Sequence, residues 1–269
     1  MQYQCLSDWK TVPEFSGLLD LPNPPKHIFY QGELHSRLFT NCVAVIGSRR
    51  ITEYGKRVIE KIIPKLVFEN KTIISGFMYG ADQYAHKICI ENGGKTIAIL
   101  GWGISKELED EDRKLAESII SSGGLIISEW EHQQPTLWTF PVRNRIVAAL
   151  STDIIVVEAA EKSGSLITAN LGRKLKRTVW AVPGEITNRL SSGTNQLIKD
   201  GHATMWLGDH PKPMQKSDDP LISLLQTEAF TASELSRKLG KPVSDIGAQL
   251  SLLSITGQIT ERGGKYYVG

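Results

Sequence analysis

Short apolar runs alternate with longer amphipathic segments along the middle of the chain. Each run is bounded by turn-forming or charged residues and is too short for a helix, which is typical of buried strands. We predict strands at CVAVIG (42–47), KTIIS (71–75), KTIAIL (95–100), GLIIS (124–128), DIIVVEA (153–159), TVWAV (178–182) and, more weakly, HATMW (202–206), with helices near 53–69, 80–92, 107–122, 141–151, 165–176 and 194–200. This alternation predicts an α/β fold with a doubly wound, mainly parallel sheet.

The two ends of the chain have a different pattern. Residues 1–40 are rich in proline and aromatic residues, and we predict an irregular arm packed on the body. The alternating region, 41–207, is the main domain. Residues 208–220 contain three prolines and are predicted to be a linker. Residues 221–269 give short helices and a hairpin-like end, the outline of a small winged-helix domain.

The composition is that of an ordinary globular protein. Hydrophobic residues make up 41% and charged residues 22%, and the formal net charge is only +2, so any site for a polyanion must be a local patch. The three cysteines have no metal-ligand spacing, which favours reduced thiols and a cytoplasmic location. There is no leader-like N-terminus and no apolar stretch as long as a bilayer span, so we expect no membrane association.

The turns that follow the predicted strands carry the candidate chemistry. The turn GSRR places Gly47, Ser48, Arg49 and Arg50 at the carboxyl edge of the sheet, where open α/β folds bind their ligands. Later turns bring further guanidinium and hydroxyl groups to that edge, namely those of Arg143, Arg145, Ser163, Ser165 and Thr168. Such groups, together with glycine-turn amides and helix N-termini, suit phosphate, so the sequence predicts a site for an anionic ligand.

Aromatic residues next to the second arginine pair, Arg143 and Arg145, indicate which class of anionic ligand would bind. Trp138 and Phe140 are interleaved with these arginines, and such surfaces can stack unpaired bases. Simpler interpretations remain for some positions. Phe140 and Pro141 also fit a hydrophobic staple and a first-turn proline, and Asp82 fits a helix cap as well as a ligand.

Motifs for common catalytic sites are missing from the sequence. There is no GxxxxGK[ST] loop, no HExxH or GxSxG motif, and no cluster of carboxylates, and the six histidines do not group. We therefore predict a binding protein with no catalytic residues, no metal and no cofactor.

Five segments together resemble the DNA processing protein A (DprA, also called Smf) family. They are VIGSRRITEYG, SGFMYGADQYAHK, FPVRNRIVAALS, VVEAAEKSGSLITA and VPGEITNRLSSGTNQLIKDGH, and they occur in the order typical of that family. The resemblance covers roughly residues 20–206. It implies an extended Rossmann-like fold and a homodimer that binds single-stranded DNA, protects incoming strands during natural transformation and loads the RecA recombinase onto them.

The resemblance also assigns candidate DNA-binding residues by motif. Arg49 would contact the DNA backbone, and Gly76, Gly80 and Asp82 would shape the second turn. The remaining candidates come from the GSRR turn and from the FPVRNR and KSGSLITA segments: Gly47, Ser48, Arg50, Phe140, Arg143, Asn144, Arg145, Lys162, Ser163, Gly164, Ser165 and Thr168.

Two regions depart from the family pattern. Many relatives have SGGARGID in the second motif, whereas Phe77, Met78 and Tyr79 replace its small and basic residues in this chain. Many relatives also carry an N-terminal helical domain, for which the arm is too short. In the C-terminal region, the predicted recognition helix VSDIGAQLSLLSITG has no lysine or arginine, so we predict that it does not bind duplex DNA.

Two alternative functions remain open from the sequence. Nucleotide phosphoribohydrolases share this type of fold but use a PGGxGTxxE turn with a catalytic glutamate, whereas this chain has SGSLITA with Ala169 at the matching position. The protein could also serve as an interaction scaffold for the recombinase, a role that overlaps with DNA binding.

Overall fold

The computed structural model describes residues 2–208, 219–225, 228–255 and 259–268. The chain divides into two compact units, residues 1–209 and 210–269, and each is described by itself. The predicted linker, 208–220, lies almost wholly outside the described residues.

The described part of the first unit is built on a nine-stranded sheet. Its strands are β1 (Gln4–Leu6), β2 (Ile28–Gly32), β3 (Cys42–Ile46), β4 (Thr72–Ser75), β5 (Thr96–Ile99), β6 (Leu125–Ser128), β7 (Asp153–Val156), β8 (Thr178–Ala181) and β9 (Thr204–Met205). Their order across the sheet is β1-β2-β6-β5-β4-β3-β7-β8-β9. Strands β3 to β9 run parallel to one another, and β2 pairs antiparallel with both β1 and β6.

Six helices of the first unit cover the sheet. They are α1 (Glu53–Phe68), α2 (Ala81–Glu91), α3 (Asp110–Ser121), α4 (Thr139–Ala149), α5 (Gly164–Lys174) and α6 (Ser192–Lys199). Strands β3 to β6 have every residue buried, because apolar side chains pack against both of their faces. The predicted doubly wound α/β sheet is confirmed, and each predicted strand and helix of residues 41–207 is present within a few residues of its expected bounds.

The strand order places a switch point in the middle of the sheet. From β3 the chain adds β4, β5 and β6 towards one side, and it then returns so that β7 pairs with the other side of β3. The loops after β3 and β7 therefore diverge and leave a crevice at their carboxyl ends. Crevices of this kind are the usual ligand sites of open α/β folds.

The N-terminal arm differs from its prediction as an irregular segment. Strand β2 extends the main sheet beside β6, and β1 pairs with β2 at the edge. Between them the chain forms short 3₁₀ helices that bury Trp9, Phe15 and Leu18 in the main core. The Trp9 indole N–H donates to the Pro25 carbonyl at 3.1 Å. The structure consequently has no unit boundary at residue 40.

The second unit has a small core of its own. It contains α7 (Pro220–Leu225), α8 (Ala232–Leu239), α9 (Val243–Ile255) and a hairpin of β10 (Ile259–Arg262) and β11 (Lys265–Val268). Helix α8 begins with a capping box in which the Thr231 side chain accepts from the Glu234 amide and the Glu234 carboxylate accepts from the Thr231 amide. This arrangement is compatible with the predicted winged helix. Within the described residues, every helix is too short or too polar to cross a membrane.

Candidate nucleic-acid interface

A cleft of about 550 Å³ opens at the switch point of the sheet. The loops after β3, β4 and β7 form it, together with the first turns of α4 and α5. Fourteen of the sixteen predicted site residues line it: Gly47, Ser48, Arg49, Arg50, Gly76, Asp82, Phe140, Arg143, Asn144, Lys162, Ser163, Gly164, Ser165 and Thr168. The other two, Gly80 and Arg145, do not line the cleft.

The turn after β3 presents two arginines to solvent. The Ser48 hydroxyl accepts from the Arg50 amide at 3.0 Å, which closes a tight turn and leaves the Arg49 and Arg50 side chains exposed. The Arg49 guanidinium lies 4.9 Å from the centroid of the Phe140 ring. This cation–π contact holds a positive charge at the mouth of the cleft while leaving its N–H groups able to meet an anion.

Gly80 supports the cleft from behind by joining two turns. Its φ of +86° suits glycine, and an added Cβ would stand 2.5 Å from the carbonyl oxygens of Ser48 and Arg49. The neighbouring Ala81 amide donates to the Ser48 carbonyl at 3.0 Å. Gly80 therefore fixes the β3 turn against the start of α2, which is the shaping role that the resemblance implied.

A carboxyl group and a guanidinium group meet at the base of the cleft. Asp82 in the first turn of α2 and Arg143 on α4 both lie against Gly76, where any side chain would collide with both groups. Burial raises the pKa of the Asp82 carboxyl, although Arg143 and a hydrogen bond with Ser75 oppose that rise. Burial lowers the pKa of Arg143 to about 10, so its guanidinium remains charged at neutral pH.

Arg143 is committed to internal partners. Its side chain is 3% exposed, and it donates to the Ile99 carbonyl and to the Asn144 side chain. It consequently contributes positive potential from within the protein, whereas Arg49 and Arg50 are positioned to reach a ligand directly.

His86 lies beneath this pair and is fully buried. Its Nε2 is 2.7 Å from the Gly76 carbonyl, which can only accept, so Nε2 carries the proton of the neutral ring. Its Nδ1 is 2.6 Å from the Thr96 hydroxyl oxygen, and that hydroxyl also lies 2.8 Å from the Ile73 carbonyl. Burial lowers the pKa of His86 to about 4, with a smaller contribution from Arg143 in the same direction. His86 is therefore a neutral support for the second turn.

The N-terminus of α5 forms the opposite wall. Ser163 caps the helix by accepting from the Ser165 amide, and the two hydroxyls are 2.7 Å apart. Asn144 ties α4 to this wall by donating to the Gly164 carbonyl at 3.1 Å. The first turn of α5 has no acidic residue, and exposed Lys162 precedes it. The helix dipole and this lysine both favour a bound anion.

The structure corrects the prediction for Arg145. Its guanidinium forms a bidentate ion pair with Glu129, at 2.6 and 2.7 Å, and also donates to the Asn23 carbonyl at 2.9 Å. Both side chains of the pair are largely buried. Arg145 therefore fastens α4 to the loop after β6 and to the N-terminal segment, and we do not retain it as a ligand-binding residue.

Trp138 and Glu158 also lie outside the cleft lining. Trp138 does not line the cleft but packs edge-on against Trp130, with ring centroids 5.8 Å apart. Glu158 accepts from the amide and hydroxyl of Thr52 and so anchors the start of α1.

Sequence reasoning missed several residues that line the cleft. They are Met78, Tyr79, Leu137, Pro141, Arg189 and Leu190, together with the aliphatic positions beneath them. The loop that carries Arg189 belongs to the family-like segment VPGEITNRLSSGTNQLIKDGH, but a lone arginine within it gave no signal of its own. With it, five cationic side chains and one carboxyl, that of Asp82, line the cleft.

The geometry defines an α/β protein that can hold a polyanion at the switch point of its sheet. The described residues contain no group of His, Cys, Asp or Glu side chains that could hold a metal. Comparison of the sequence with known protein families then identifies the family of this chain. Residues 9–213 match DNA recombination-mediator protein A, and the chain belongs to that family.

Curated relatives agree with this assignment. The chain is 34% identical to protein Smf of Escherichia coli K12 over 274 aligned positions, which cover 93% of this chain and 73% of the relative. It is 39% identical to DNA processing protein DprA of Streptococcus pneumoniae R6 over 186 positions, covering 68% of this chain and 64% of that protein.

Solved structures of similar proteins have the same fold. The DprA structure from Streptococcus pneumoniae aligns with a TM-score of 0.68 and 35% identity, covering 77% of this chain and 71% of that one. The structure from Helicobacter pylori aligns with a TM-score of 0.67 and 30% identity, covering 76% and 91%. The latter work concerns the single-stranded DNA binding mode of that protein. The resemblance to the DprA family is thus confirmed.

Proposed function

We propose that this protein binds single-stranded DNA in the switch-point cleft and acts in recombination during natural transformation. In this proposal it protects incoming strands and loads the RecA recombinase onto them. One observation carries the DNA-binding part: exposed cations from three distant segments, at Arg49, Arg50, Lys162 and Arg189, line one cleft with a helix N-terminus. Membership of the recombination-mediator family supports the rest.

The nature of the cleft favours an unpaired strand over a duplex. Single-strand binding sites combine cations for the backbone with aromatic faces for the bases. Here Phe140 lies beneath the Arg49 guanidinium, so charge and an aromatic ring are presented together. We propose that the fourteen predicted residues that line the cleft, together with Arg189, form the binding site.

A binding role fits the cleft better than hydrolysis of a nucleotide. Among the described residues that line the cleft, Asp82 supplies the one carboxyl, and it lies against Arg143 at the base of the cleft. Ala169 occupies the α5 position where phosphoribohydrolases have glutamate, and it is fully buried. Release of free base from nucleoside monophosphates would favour the enzymatic alternative instead.

We further propose that the C-terminal unit contacts protein, or packs, and does not read duplex DNA. The exposed positions of α9 include Val243, Ser251 and Leu252, and the helix contains no lysine or arginine. A helix in a major groove needs donors for phosphates and base edges, which these side chains do not supply.

We also propose a cytoplasmic location and a homodimer. Cys5, Cys42 and Cys89 form no disulfide, in agreement with a reducing cytoplasm. A homodimer follows from the resemblance to the family, and light scattering on the purified protein tests it directly.

Replacing Arg49 with alanine tests the proposed function. We expect binding of a labelled single-stranded oligonucleotide to weaken about ten- to a hundredfold, because a charge-assisted contact worth about 1.5–3 kcal/mol is lost. The slope of log affinity against log salt should fall in magnitude by about 0.7, since one phosphate contact disappears. Fluorescence anisotropy over a salt series measures both quantities, with a duplex of the same sequence measured beside it.

Arg37→Ala is the matched control. Arg37 is an exposed arginine just before β3, at the amino edge of the sheet and so away from the cleft. The control variant should bind single strands as the wild type does. If Arg49→Ala keeps both the wild-type affinity and the wild-type salt slope, or if duplex binds as tightly as single strand, the proposed function is wrong.

A further inference from the structure

The turn after β4 has an unusual aromatic composition for a phosphate-facing loop. Its residues Phe77, Met78 and Tyr79 stand between two glycines. Phe77 is buried, with its ring centroid 6.3 Å from that of Trp102, and Met78 packs partly buried against the same cluster. Tyr79 points the other way, is 57% exposed and lines the cleft.

The backbone that carries Tyr79 is firmly held. Phe77 anchors the loop on one side, and the positive φ of Gly80 fixes the turn on the other. The Ala81 amide donates to the Ser48 carbonyl, and the Tyr84 amide donates to the Gly80 carbonyl, each at 3.0 Å. A ring on a fixed backbone loses little conformational entropy when a partner stacks on it.

The Tyr79 ring also differs from the Phe140 ring in what covers it. The Arg49 guanidinium sits over Phe140 at 4.9 Å, so one face of that ring is already occupied. No other aromatic ring, guanidinium or ammonium group covers Tyr79 among the described residues. Tyr79 therefore offers an exposed aromatic face beside the cations of the cleft.

We propose that Tyr79 is a specificity-determining residue on which one unpaired base stacks. This inference rests on the proposed function and deepens it, because it names what in the strand the cleft recognises besides phosphate. A base within a duplex has its faces covered by its neighbours, whereas an unpaired base can leave the stack and expose one. Tyr79 thus adds affinity for single strands that a bare sugar–phosphate chain or a duplex does not obtain.

A neutral stacking residue has a signature that a cation does not share. Removing it lowers affinity but leaves the number of neutralised phosphates, and therefore the salt slope, unchanged. A base–aromatic stack is worth about a tenfold change in affinity. Tyr79→Ala should accordingly bind oligothymidylate about tenfold more weakly than the wild type, with the same salt slope.

The experiment uses the full chain and two probes of equal length, oligothymidylate and an abasic sugar–phosphate oligomer. Wild type should prefer the first, and Tyr79→Ala should lose about tenfold of that preference. Tyr79→Phe should keep it. Tyr79→Arg should steepen the salt slope and bind the abasic probe more tightly. A 2-aminopurine in the strand should be quenched by wild type and by Tyr79→Phe, and much less by Tyr79→Ala.

Tyr267→Ala serves as the matched control, because Tyr267 is a partly exposed tyrosine of the other unit. It should behave as wild type. If wild type binds single strands but Tyr79→Ala retains its base preference and quenching, this inference is wrong while the proposed function stands. If wild type binds neither probe, the proposed function and this inference fail together.

Discussion

The base and the mouth of the cleft contain similar residue types that have different roles. At the base, His86 and Arg143 are buried and Asp82 is partly buried, and all three have hydrogen-bond partners within the protein; we refer to these three residues as the floor. At the mouth, Arg49 and Lys162 are exposed; we refer to these two as the rim. An arginine is therefore structural or ligand-binding according to its burial and partners, and not according to its motif.

This comparison separates stability from binding. A floor residue stabilises the folded state through desolvated contacts, so its loss should lower the free energy of unfolding. A rim residue is screened by water in the free protein, so its loss should leave folding nearly unchanged and weaken the bound state. Floor variants should consequently show reduced stability in unfolding experiments, and rim variants should show reduced affinity in binding experiments.

The largest effect is expected for Arg143→Met. This change removes the buried guanidinium that lowers the pKa of the partly buried Asp82 carboxyl, and breaking a buried pair costs about 3–5 kcal/mol. Urea denaturation should show a loss of about that size. The double variant Asp82→Asn with Arg143→Met should recover a large part of it, since both charges are then absent.

This result also tests whether Arg143 belongs to the floor. If Arg143→Met unfolds at the wild-type urea concentration yet loses its affinity for single strands, then Arg143 contacts the phosphate directly and the separation of floor from rim is wrong at this position.

The next effect is a dependence of stability on pH that originates at His86. Its pKa is about 4 in the folded protein and near 6.5 when unfolded, so the unfolded state binds the proton more readily. The full stability is present above pH 6.5 and is lost as the pH falls towards and through 4. The loss in the free energy of unfolding amounts to about 3 kcal/mol at pH 4. Carboxyl groups titrate in the same range, so the comparison must be with a variant.

His86→Gln provides that comparison, because glutamine is neutral at every pH and keeps an amide donor for the Gly76 carbonyl. The variant is expected to be less stable than wild type at pH 8, and the gap should close as the pH is lowered to 4. A gap of constant size from pH 8 to 4 would show that His86 titrates normally and is not part of the buried floor.

Much of the fold could be predicted because its signal is local. Buried parallel strands such as β3 and β5 are continuous apolar runs, and the segments between them have helical periodicity. Strand β2 was missed because its signal is not local. It follows Pro22, Pro24 and Pro25, and it becomes a strand by pairing with β6, nearly a hundred residues later.

Site residues in a motif directly after a strand were predicted correctly to line the cleft. The roles of residues that depend on contacts with distant elements were not predicted. Arg143 and Arg145 were grouped as one pair, but residues two apart on a helix point in nearly opposite directions. That geometry alone could have separated them. Their partners, the Ile99 carbonyl and Glu129, lie on other elements and could not be identified from spacing.

The smallest expected effect concerns two exposed lysines at opposite ends of α5. Lys162 precedes the N-cap and Lys174 is the last helical residue. A positive charge is unfavourable at a helix N-terminus and favourable at its C-terminus, by a few tenths of a kcal/mol. Lys162→Ala should therefore leave thermal stability unchanged or raise it slightly, and Lys174→Ala should lower it slightly.

DNA binding should respond in the opposite order. Lys162→Ala removes a rim cation and should weaken binding of single strands by roughly threefold, with a smaller salt slope, whereas Lys174→Ala should bind as wild type does. Melting curves measure the thermal stability of the two variants, and anisotropy titrations measure their affinity for single strands. Equal affinity losses in both variants would mean that DNA binding depends on the overall charge of the protein and not on a specific site at the mouth of the cleft.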